Sequence, residues 1–306
     1  MIRTRKLRRP RVLIVGAGHV GLRCVKLLSE RYRVYALTRD TAPERVAALR
    51  EAGAMPVPGD LDRRRSLLRA AALAPMVLDL APPPATGAVD PRSQALIAAL
   101  SRRRGRGVIV PERRRATVVY ASTTGVYGDC VGANVDETRL VRPTNARAVR
   151  RVAAERAWRA AGARASVDVR VVRIPGIYAG DRLPVERLRK GTPALAADDD
   201  VFTSHIHADD LAAIMIRAAR AGRPQRVYLA ADDTRLKMAD YFDLVADRKG
   251  LPRPPRIARA EAEHKLEPAL LSFMRESRQL DNRRLKTELG YRLRFPTVHD
   301  FLDSEG

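Results

Sequence analysis

The chain has few cysteines, few histidines and no long apolar run. Its two cysteines, Cys24 and Cys130, make neither a disulfide framework nor a metal site. The five histidines show no metal-ligand spacing, so metal catalysis is not expected. No stretch approaches the roughly 20 consecutive apolar residues that cross a bilayer. We therefore expect a protein with no metal and no membrane partner, in the cytoplasm.

Acidic residues are outnumbered by basic ones: 35 oppose 58, which gives a formal net charge of +23. Such a charge suggests nucleic-acid binding, but nearly all the cations are arginines dispersed through helical stretches. Aromatic residues make up only 5% of the chain, and no DNA- or RNA-binding motif accompanies the arginines. We expect no specific nucleic-acid partner, only weak, salt-sensitive binding to polyanions.

What the chain does have is a regular alternation of short apolar strands with helical stretches. This predicts an α/β fold, a doubly wound parallel Rossmann sheet with a smaller C-terminal mixed α/β domain. The expected Rossmann domain spans residues 1–175, with 205–231 returning to it, and the smaller substrate-side domain spans 176–306. The predicted strands are Val12–Val15, Arg33–Leu37, Met55–Val57, Met76–Leu80, Val108–Val110 or Thr117–Tyr120, Val169–Arg173 and Val227–Leu229. The predicted helices are Val20–Arg31, Ala42–Ala52, Arg63–Ala72, Pro91–Arg102, Ala146–Ala161 and Asp209–Ala221.

A glycine turn follows the first predicted strand. Gly16, Gly18 and Gly21 stand in G-x-G-x-x-G spacing, and His19 and Val20 lie where the next helix opens. The first glycine permits a tight turn, the second lets a pyrophosphate approach the backbone, and the third lets helix and strand pack closely. The helix points its N–H groups and positive dipole end at the phosphates. The turn therefore predicts a dinucleotide site.

The end of the second strand decides which dinucleotide is bound. An acidic residue there would bind the ribose 2′-hydroxyl of NAD. Thr38 stands there instead, and the neighbouring Arg39 could contact a 2′-phosphate with two charge-assisted hydrogen bonds. This favours NADP. The alternative, with NAD as cofactor, is that Asp40 turns back to the ribose and Arg39 is simply solvated.

Several later motifs, with the glycine turn, resemble the extended and atypical short-chain dehydrogenase/reductases, the NAD-dependent epimerase/dehydratase type. The motifs are Gly59–Leu61, Tyr120–Asp129, Arg173–Tyr178, His205–Leu211 and Leu285–Tyr291. The resemblance implies that Asp60 hydrogen-bonds the adenine while Leu61 packs on it, although Asp60 as a helix cap and Leu61 as a core residue fit equally well. It also implies cofactor contacts from Leu80, Ala81, Pro82 and Pro175. Thr123 is placed where its hydroxyl would orient a substrate, although a turn residue is the alternative.

The chain departs from this family at its central chemistry. The family carries a Tyr-x-x-x-Lys pair on the helix after the Tyr-Gly loop, and the tyrosine moves a proton. Counting from Pro143 and Glu155 places Arg147 at the tyrosine position and Arg151 at the lysine position. Arg151 could still hold the ribose hydroxyls. Arg147 cannot replace the tyrosine, because a guanidinium stays protonated at any working pH.

Three interpretations remain open from the sequence. Another group could carry the proton; the candidates are Tyr127, Tyr178, Asp129 and His207, each of which also fits a structural role. Arg147 could instead bind an anionic substrate while water carries the proton. The protein could also bind NADP without turnover, as a sensor or interaction protein. A 4,6-dehydratase is disfavoured, since Thr124 and Gly125 stand where such enzymes have Asp-Glu. The expected partner is a small-molecule substrate, with a homodimer as one assembly state.

Overall fold

The protein is described by a computed structural model that covers residues 9–102 and 115–305. The predicted alternative strand Val108–Val110 lies outside these ranges, and the other alternative, Thr117–Tyr120, lies within a described strand. The strands are β1 Arg11–Val15, β2 Arg33–Thr38, β3 Ala54–Pro58, β4 Met76–Asp79, β5 Ala116–Thr123, β6 Asn134–Val135, β7 Val167–Ile174, β8 Gly176–Tyr178, β9 Ala194–Leu195, β10 Phe202–Thr203, β11 His205–His207, β12 Arg226–Leu229, β13 Leu236–Lys237, β14 Arg256–Ile257 and β15 Gln279–Leu280.

The helices alternate with these strands in the first half of the chain. They are α1 His19–Leu28, α2 Pro43–Glu51, α3 Leu67–Leu73, α4 Pro91–Arg102, α5 Ala146–Ala163, α6 Val185–Arg189, α7 Ala208–Ala221, α8 Met238–Arg248, α9 Arg259–Lys265, α10 Pro268–Phe273, α11 Arg283–Thr287 and α12 Val298–Ser304. None of the helices in the described ranges is both long and apolar enough to pass through a membrane.

Seven of the strands form one sheet in the order β12-β7-β5-β4-β1-β2-β3. The pairings of β1 with β2 and with β4 are parallel, as are those of β2 with β3 and β4 with β5. Most residues of β1, β2, β5 and β7 are buried, as expected when helices cover both faces of a parallel sheet. The strand order reverses between β1 and β4, and in such sheets ligands bind at the carboxyl ends of the strands flanking this reversal. The predicted fold class is confirmed.

The α3 helix starts later than predicted. The sequence indicates a helix from Arg63, but a 3₁₀ turn occupies Arg64–Ser66 and α3 begins at Leu67. The Ser66 hydroxyl lies 2.7 Å from the Arg63 carbonyl oxygen and 3.0 Å from that of Asp60. These local side-chain contacts compete with the helical hydrogen-bond pattern, which is why the first turn is tighter.

Contacts divide the chain into two compact units. The first comprises 1–121, 153–171 and 212–226, and the second 122–152, 172–211 and 227–306. In the first, the core is built on the buried strands β1, β2 and β4. In the second, the larger core cluster contains Tyr178, Phe242, Val245 and Phe301. Each unit contains one of the pockets described next.

Candidate functional site

The glycine turn connects β1 to α1 in the first unit, and the packing of the backbone explains two of its glycines. Gly16 has φ +89°, and a Cβ there would lie 2.7 Å from the Ala81 nitrogen and 2.8 Å from the Leu80 carbonyl carbon. A Cβ on Gly21 would lie 2.4 Å from the Gly16 carbonyl oxygen. Both distances are far below van der Waals contact, so neither position accepts a side chain without backbone movement.

Gly18 differs from these two glycines. A Cβ added there would meet no heavy atom within 4 Å, and its φ of −81° is one that any residue adopts. It is the N-cap of α1, without a side-chain cap, and no acidic residue follows in the first turn. His19, Val20 and Gly21 form that turn. An uncapped helix N-terminus favours an anion. Protein packing therefore does not require glycine at position 18, whereas close approach of a phosphate would.

Gly18 borders a cleft of about 290 Å³ in the first unit. Many of the cofactor contacts predicted from the sequence line it together: Gly16, Gly18, Thr38, Arg39, Asp60, Leu61, Ala81 and Pro82. The remaining lining residues are Val15, Ala17, Leu37, Asp40, Arg45, Gly59 and Arg92. His19, Val20, Gly21 and Leu80 are not in the lining but belong to the turn and the strand end that shape it. The cleft thus gathers residues from the ends of β1, β2, β3 and β4.

At the end of β2, the carboxylate of Asp40 is turned toward its own loop. Its Oδ1 accepts a hydrogen bond from the Ala42 nitrogen at 2.9 Å, and the Thr38 hydroxyl donates to the Asp40 carbonyl oxygen at 2.8 Å. Arg39 is exposed at the cleft. Arg45, which the sequence analysis missed, donates from Nη2 to the Ala17 carbonyl oxygen at 2.6 Å. Two guanidinium groups therefore line the cleft near the strand end.

Asp60 makes a turn contact and also lines the cleft, while its role at the adenine stays a prediction. Its Oδ1 accepts a hydrogen bond from the Asp62 nitrogen at 3.0 Å, which is a turn contact, and the residue still lines the cleft. Arg92 lines the cleft as well and was also missed. It donates to both oxygens of Asp62, at 2.8 and 2.7 Å. This contact holds the pKa of the Asp62 carboxyl below its usual range, so the charge of Arg92 is already compensated.

The second unit has a cavity of about 630 Å³ beside the end of β5. Thr123, Arg147 and Pro175 all line it. The Thr123 Oγ1 accepts a hydrogen bond from the Gly125 nitrogen at 3.3 Å, which leaves its proton available to a ligand. The remaining lining residues are Thr124, Gly125, Asn145, Ala148, Gly176, Ile177, Arg182, Phe202, Thr203, Ser204, Met238, Ser272, Phe273, Glu276 and Arg278.

Helix α5 carries the two arginines that stand at the tyrosine and lysine positions. Asn145 precedes the helix, and its Oδ1 accepts a hydrogen bond from the Ala148 nitrogen at 2.9 Å, as an N-cap residue does. Arg147 is exposed toward the cavity, whereas Arg151 is buried and is not one of the cavity-lining residues. The structure therefore brings Arg147, but not Arg151, together with Thr123. A role of Arg151 at the ribose stays a prediction.

Tyr127 is one of the candidates for a substitute proton carrier, and its hydroxyl makes its hydrogen bonds inside the second unit. Its side chain is 1% exposed, and its hydroxyl donates to the Asp136 carbonyl oxygen at 2.9 Å. The Tyr127 hydroxyl oxygen in turn accepts a hydrogen bond from Arg173 Nη1 at 2.8 Å, and the Arg173 guanidinium lies 4.8 Å from the centroid of the Tyr127 ring. Tyr127 is absent from the described lining of the cavity, and its role as a proton carrier stays a prediction.

The other proton-carrier candidates are also engaged in packing or backbone contacts. Asp129 Oδ1 accepts hydrogen bonds from the Val131 and Ser277 nitrogens at 3.0 and 2.8 Å. His207 is buried, and its Nδ1 accepts from the Asp209 nitrogen at 3.2 Å. Tyr178 is 1% exposed, and burial raises the pKa of its hydroxyl far above the ordinary value. None of the three lies in the described lining of the cavity.

Three charged residues of the cavity come from segments that the sequence motifs do not mark: Arg182, Glu276 and Arg278. Glu276 Oε2 pairs with Arg278 Nη1 at 2.7 Å. Its Oε1 accepts from the Thr144 hydroxyl at 2.8 Å and from Asn145 Nδ2 at 3.1 Å. The contacts of Glu276 with Thr144 and Asn145 cannot be predicted from a local pattern, because more than 130 residues separate these partners. In the described ranges, no group of three or more histidines, cysteines or carboxylates is arranged to hold a metal.

The comparisons with known proteins agree with this geometry. A family model described as the NAD dependent epimerase/dehydratase family matches residues 12–231. A functionally unknown conserved protein from Silicibacter pomeroyi is 29% identical, with a TM-score of 0.79 over 96% of this chain and 97% of that one. A search of curated protein sequences finds no significant match.

Two further solved structures share the fold at lower identity. MoeE5 in complex with UDP-glucose and NAD is 21% identical, with a TM-score of 0.71 over 96% of both chains. A nucleoside-diphosphate-sugar epimerase from Pseudomonas aeruginosa is 18% identical, with a TM-score of 0.76 over 96% of this chain and 95% of that chain. The family model spans most of the sequence, including the glycine turn, Thr123 and Arg147. The chain therefore belongs to the NAD-dependent epimerase/dehydratase family.

Proposed function

We propose that this protein binds NADP and acts as an oxidoreductase or epimerase on a small, anionic or sugar-type substrate, with an active site that lacks the usual tyrosine–lysine pair. The observation that supports this proposal is the cleft of the first unit, in which Gly18 faces open space and two arginines lie near the end of β2: Arg39 directly after the strand and Arg45 on α2. A bound nicotinamide dinucleotide supplies a hydride acceptor or donor. The protein's own residues hold the cofactor and orient the substrate.

The cleft fits the pyrophosphate of a dinucleotide. Gly18 leaves open space where any other residue would project a side chain, and α1 presents an uncapped N-terminus beside it. Backbone N–H groups and the helix dipole together favour a phosphate at this position. Asp60 and Leu61 would border the adenine, and Ala81 and Pro82 the opposite wall.

The charges at the end of β2 favour NADP over NAD. Asp40 is the acidic residue that could hold a 2′-hydroxyl, but its Oδ1 is bound to the Ala42 nitrogen. Arg39 and Arg45 line the same cleft, and the contact of Arg45 with the Ala17 carbonyl oxygen uses only one of its five N–H donors. A 2′-phosphate would accept charge-assisted hydrogen bonds from both guanidinium groups.

The substrate class rests on the cavity and on the relatives. MoeE5 holds UDP-glucose, and the Pseudomonas aeruginosa relative is a nucleoside-diphosphate-sugar epimerase. In this chain, Thr123 offers a hydroxyl and Arg147 a guanidinium to a ligand in the cavity. A sugar-type or otherwise anionic small molecule suits both groups. The cytoplasmic location and the homodimer stay predictions.

A second candidate function is a non-catalytic NADP sensor or interaction protein. This function is favoured by the shortage of general acids and bases in the described lining of the cavity. Among those side chains, only Glu276 belongs to the residue types that commonly act as a general acid or base. Both carboxylate oxygens of Glu276 are already engaged, by Thr144, Asn145 and Arg278. A sensor would keep the cleft and bind NADP without turnover.

Fluorescence titration with NADPH and NADH tests the cofactor proposal. We expect the wild-type protein to bind NADPH more tightly than NADH. Arg39→Gln and Arg45→Gln should each weaken NADPH binding roughly tenfold to a hundredfold, because each removes a charge-assisted contact. NADH binding should change little in either variant. Arg50→Gln is the matched control, since Arg50 is exposed on the same helix as Arg45 but does not line the cleft.

Failure to bind either nucleotide would contradict both candidate functions. Preferential binding of NADH would contradict the assignment of Arg39 and Arg45. Incubation with NADP⁺ and UDP-glucose, followed by nicotinamide absorbance and by analysis of the sugar product, then separates enzyme from sensor for this substrate. A Thr123→Val variant should lose any turnover that appears, while it keeps NADPH binding.

A further inference from the structure

Arg147 occupies an unfavourable position for a cation on its own helix. Asn145 caps α5, so Arg147 is the second residue of the helix, at the positive end of its dipole. The first turn has no acidic residue. Arg150 and Arg151 follow three and four residues later, the spacing at which like charges on a helix repel. Helix electrostatics therefore do not explain an arginine at this position.

The cavity adds to this cost. Partial desolvation, together with the charges of Arg151 and Arg150, lowers the pKa of the Arg147 guanidinium from its usual value. An arginine nevertheless stays protonated at any physiological pH. Among the described residues, we find no hydrogen bond or ion pair to the Arg147 side chain. The charge thus remains without a compensating anion from the described protein.

Glu276, the carboxylate in the described lining of the same cavity, makes its hydrogen bonds and ion pair with residues other than Arg147. Its two oxygens are bound to Thr144, Asn145 and Arg278. Arg278 also donates to the Gly128 carbonyl oxygen at 2.9 Å, which fixes the pair to the loop after β5. Glu276 and Arg278 therefore compensate each other, and neither adds net charge to the cavity.

Arg182 is the third arginine of the cavity. It is exposed there, on the short turn that follows β8, and no described residue forms a hydrogen bond or ion pair with its side chain. The cavity lining therefore carries two uncompensated positive charges, Arg147 and Arg182. Thr123 and Asn145 line the same cavity and add uncharged polar groups.

We propose that Arg147 and Arg182 form an oxyanion site that binds a carboxylate or phosphate group of the substrate, with Arg147 at the position where relatives carry the tyrosine. This inference rests on the proposed function, because it specifies that the substrate bound in the same cavity carries a negatively charged group. Residues that break local electrostatic rules are expected at functional or strained sites. The oxyanion supplies Arg147 with a negative charge. The first turn of α5 has no acidic residue, and Glu276 is paired with Arg278.

Thermal unfolding with two probe anions tests the site. Glycolate represents a carboxylate, inorganic phosphate a phosphate, and glycerol at equal concentration an uncharged control, all at constant ionic strength. We expect glycolate or phosphate to raise the Tm of the wild-type protein by several degrees, and the anion with the larger effect identifies the chemical source. Glycerol should produce a smaller change. Isothermal titration of the same probe should show affinity losses of roughly tenfold or more in Arg147→Gln and in Arg182→Gln.

The ligand-free variants provide the readout that separates a binding role from a structural one. Arg147→Gln should unfold at the same temperature as the wild type or higher, because it removes a repelled charge from the helix N-terminus. Arg156→Gln is the matched control: Arg156 is exposed on the same helix and outside the cavity lining, and its anion response should equal that of the wild type. A lower Tm of ligand-free Arg147→Gln together with an intact anion response would overturn the proposal.

NADPH titration of the same samples keeps the two proposals distinguishable. Arg147→Gln and Arg182→Gln should bind NADPH like the wild type while they lose the anion. If the wild type binds NADPH but neither anion changes its Tm, the oxyanion site is wrong and the cofactor assignment stands. If the anions bind in an Arg147-dependent way but no nucleotide binds, the oxyanion site stands and the proposed function is wrong.

Discussion

The cleft beside the glycine turn and the cavity around Arg147 differ in what determines their residues. In the cleft, Gly16 and Gly21 are required by contacts between backbone atoms, so the turn cannot change without disturbing the fold. In the cavity, Thr123 and Arg147 contribute side chains to the lining, from a strand end and from a helix. Chemistry carried by side chains can therefore be altered while the scaffold persists. This explains how a chain can keep a dinucleotide turn and lose the tyrosine–lysine pair.

The glycines of the turn should separate protein stability from cofactor binding most sharply. Gly21→Ala should destabilise the protein by about 2–3 kcal/mol, since its Cβ would overlap the Gly16 carbonyl oxygen. Gly18→Ala should change stability by no more than about 0.5 kcal/mol, because its Cβ meets open space. Yet Gly18→Ala should weaken NADPH binding by roughly tenfold or more, about 1.4 kcal/mol.

Urea unfolding and NADPH titration of both variants measure this contrast. Gly87→Ala does not serve as a control, because Gly87 has a positive φ of 88°. An exposed helical change such as Ala160→Ser in α5 is better suited, with stability and affinity near wild type. Unchanged NADPH affinity in Gly18→Ala would show that no ligand approaches the turn at this glycine.

Two buried groups of the second unit predict a pH dependence in which opposite contributions cancel. Burial raises the pKa of Asp232 from 3.8 to about 7, so the folded state holds this proton more tightly than the unfolded state does. This contribution lowers stability as the pH rises from about 4 to 7. Burial lowers the pKa of His205 from 6.5 to about 4. That contribution raises stability as the pH rises over nearly the same range.

Single variants should separate the two slopes. His205→Phe should become less stable as the pH rises from about 4 to 7, and Asp232→Asn should become less stable as the pH falls from about 6.5 to 4. In each variant, the free energy of unfolding should change by no more than roughly 4 kcal/mol over the pH range. Urea midpoints across this pH range measure the effect, and the same sign of slope in both variants would contradict the assignment.

A Tyr127→Phe variant tests whether the Tyr127 hydroxyl has a structural role in the second unit. Tyr127→Phe removes the hydroxyl that joins the Asp136 carbonyl oxygen to Arg173. We expect a loss of about 1–2 kcal/mol in the free energy of unfolding, because a buried guanidinium loses an acceptor. Anion binding to the cavity should stay at the wild-type level. A large loss of turnover at unchanged stability would instead restore Tyr127 as a proton carrier.

The smallest expected effect concerns Arg92 in the cleft. Its charge is compensated by Asp62, whose side chain is 44% exposed, so Arg92→Gln should cost less than about 1 kcal/mol of stability. NADPH affinity should fall much less than in Arg39→Gln. Unfolding at low and high salt measures the change in stability, and fluorescence titration measures the change in NADPH affinity. An effect on NADPH as large as that of Arg39→Gln would mean that Arg92, too, contacts the cofactor.

Sequence alone was sufficient for features that depend on neighbours along the chain. The alternation of strands and helices predicts the parallel sheet, because side-chain periodicity reflects which faces are buried. The spacing of Gly16, Gly18 and Gly21 predicts the turn between β1 and α1 for the same local reason. The spacing from Pro143 to Glu155 places Arg147 on α5 and shows that the tyrosine is missing.

Tertiary structure alone decided which charges are compensated. Glu276 reaches Thr144 and Asn145 across more than 130 residues, and Arg45 reaches the Ala17 carbonyl oxygen from another helix. The burial of Tyr127 and Arg151 is likewise a result of packing between distant segments. Such contacts form only when the chain closes long loops, and no short motif encodes them. Many residues of the cleft were therefore predictable from the sequence, whereas the partners of the charged side chains became visible only in the fold.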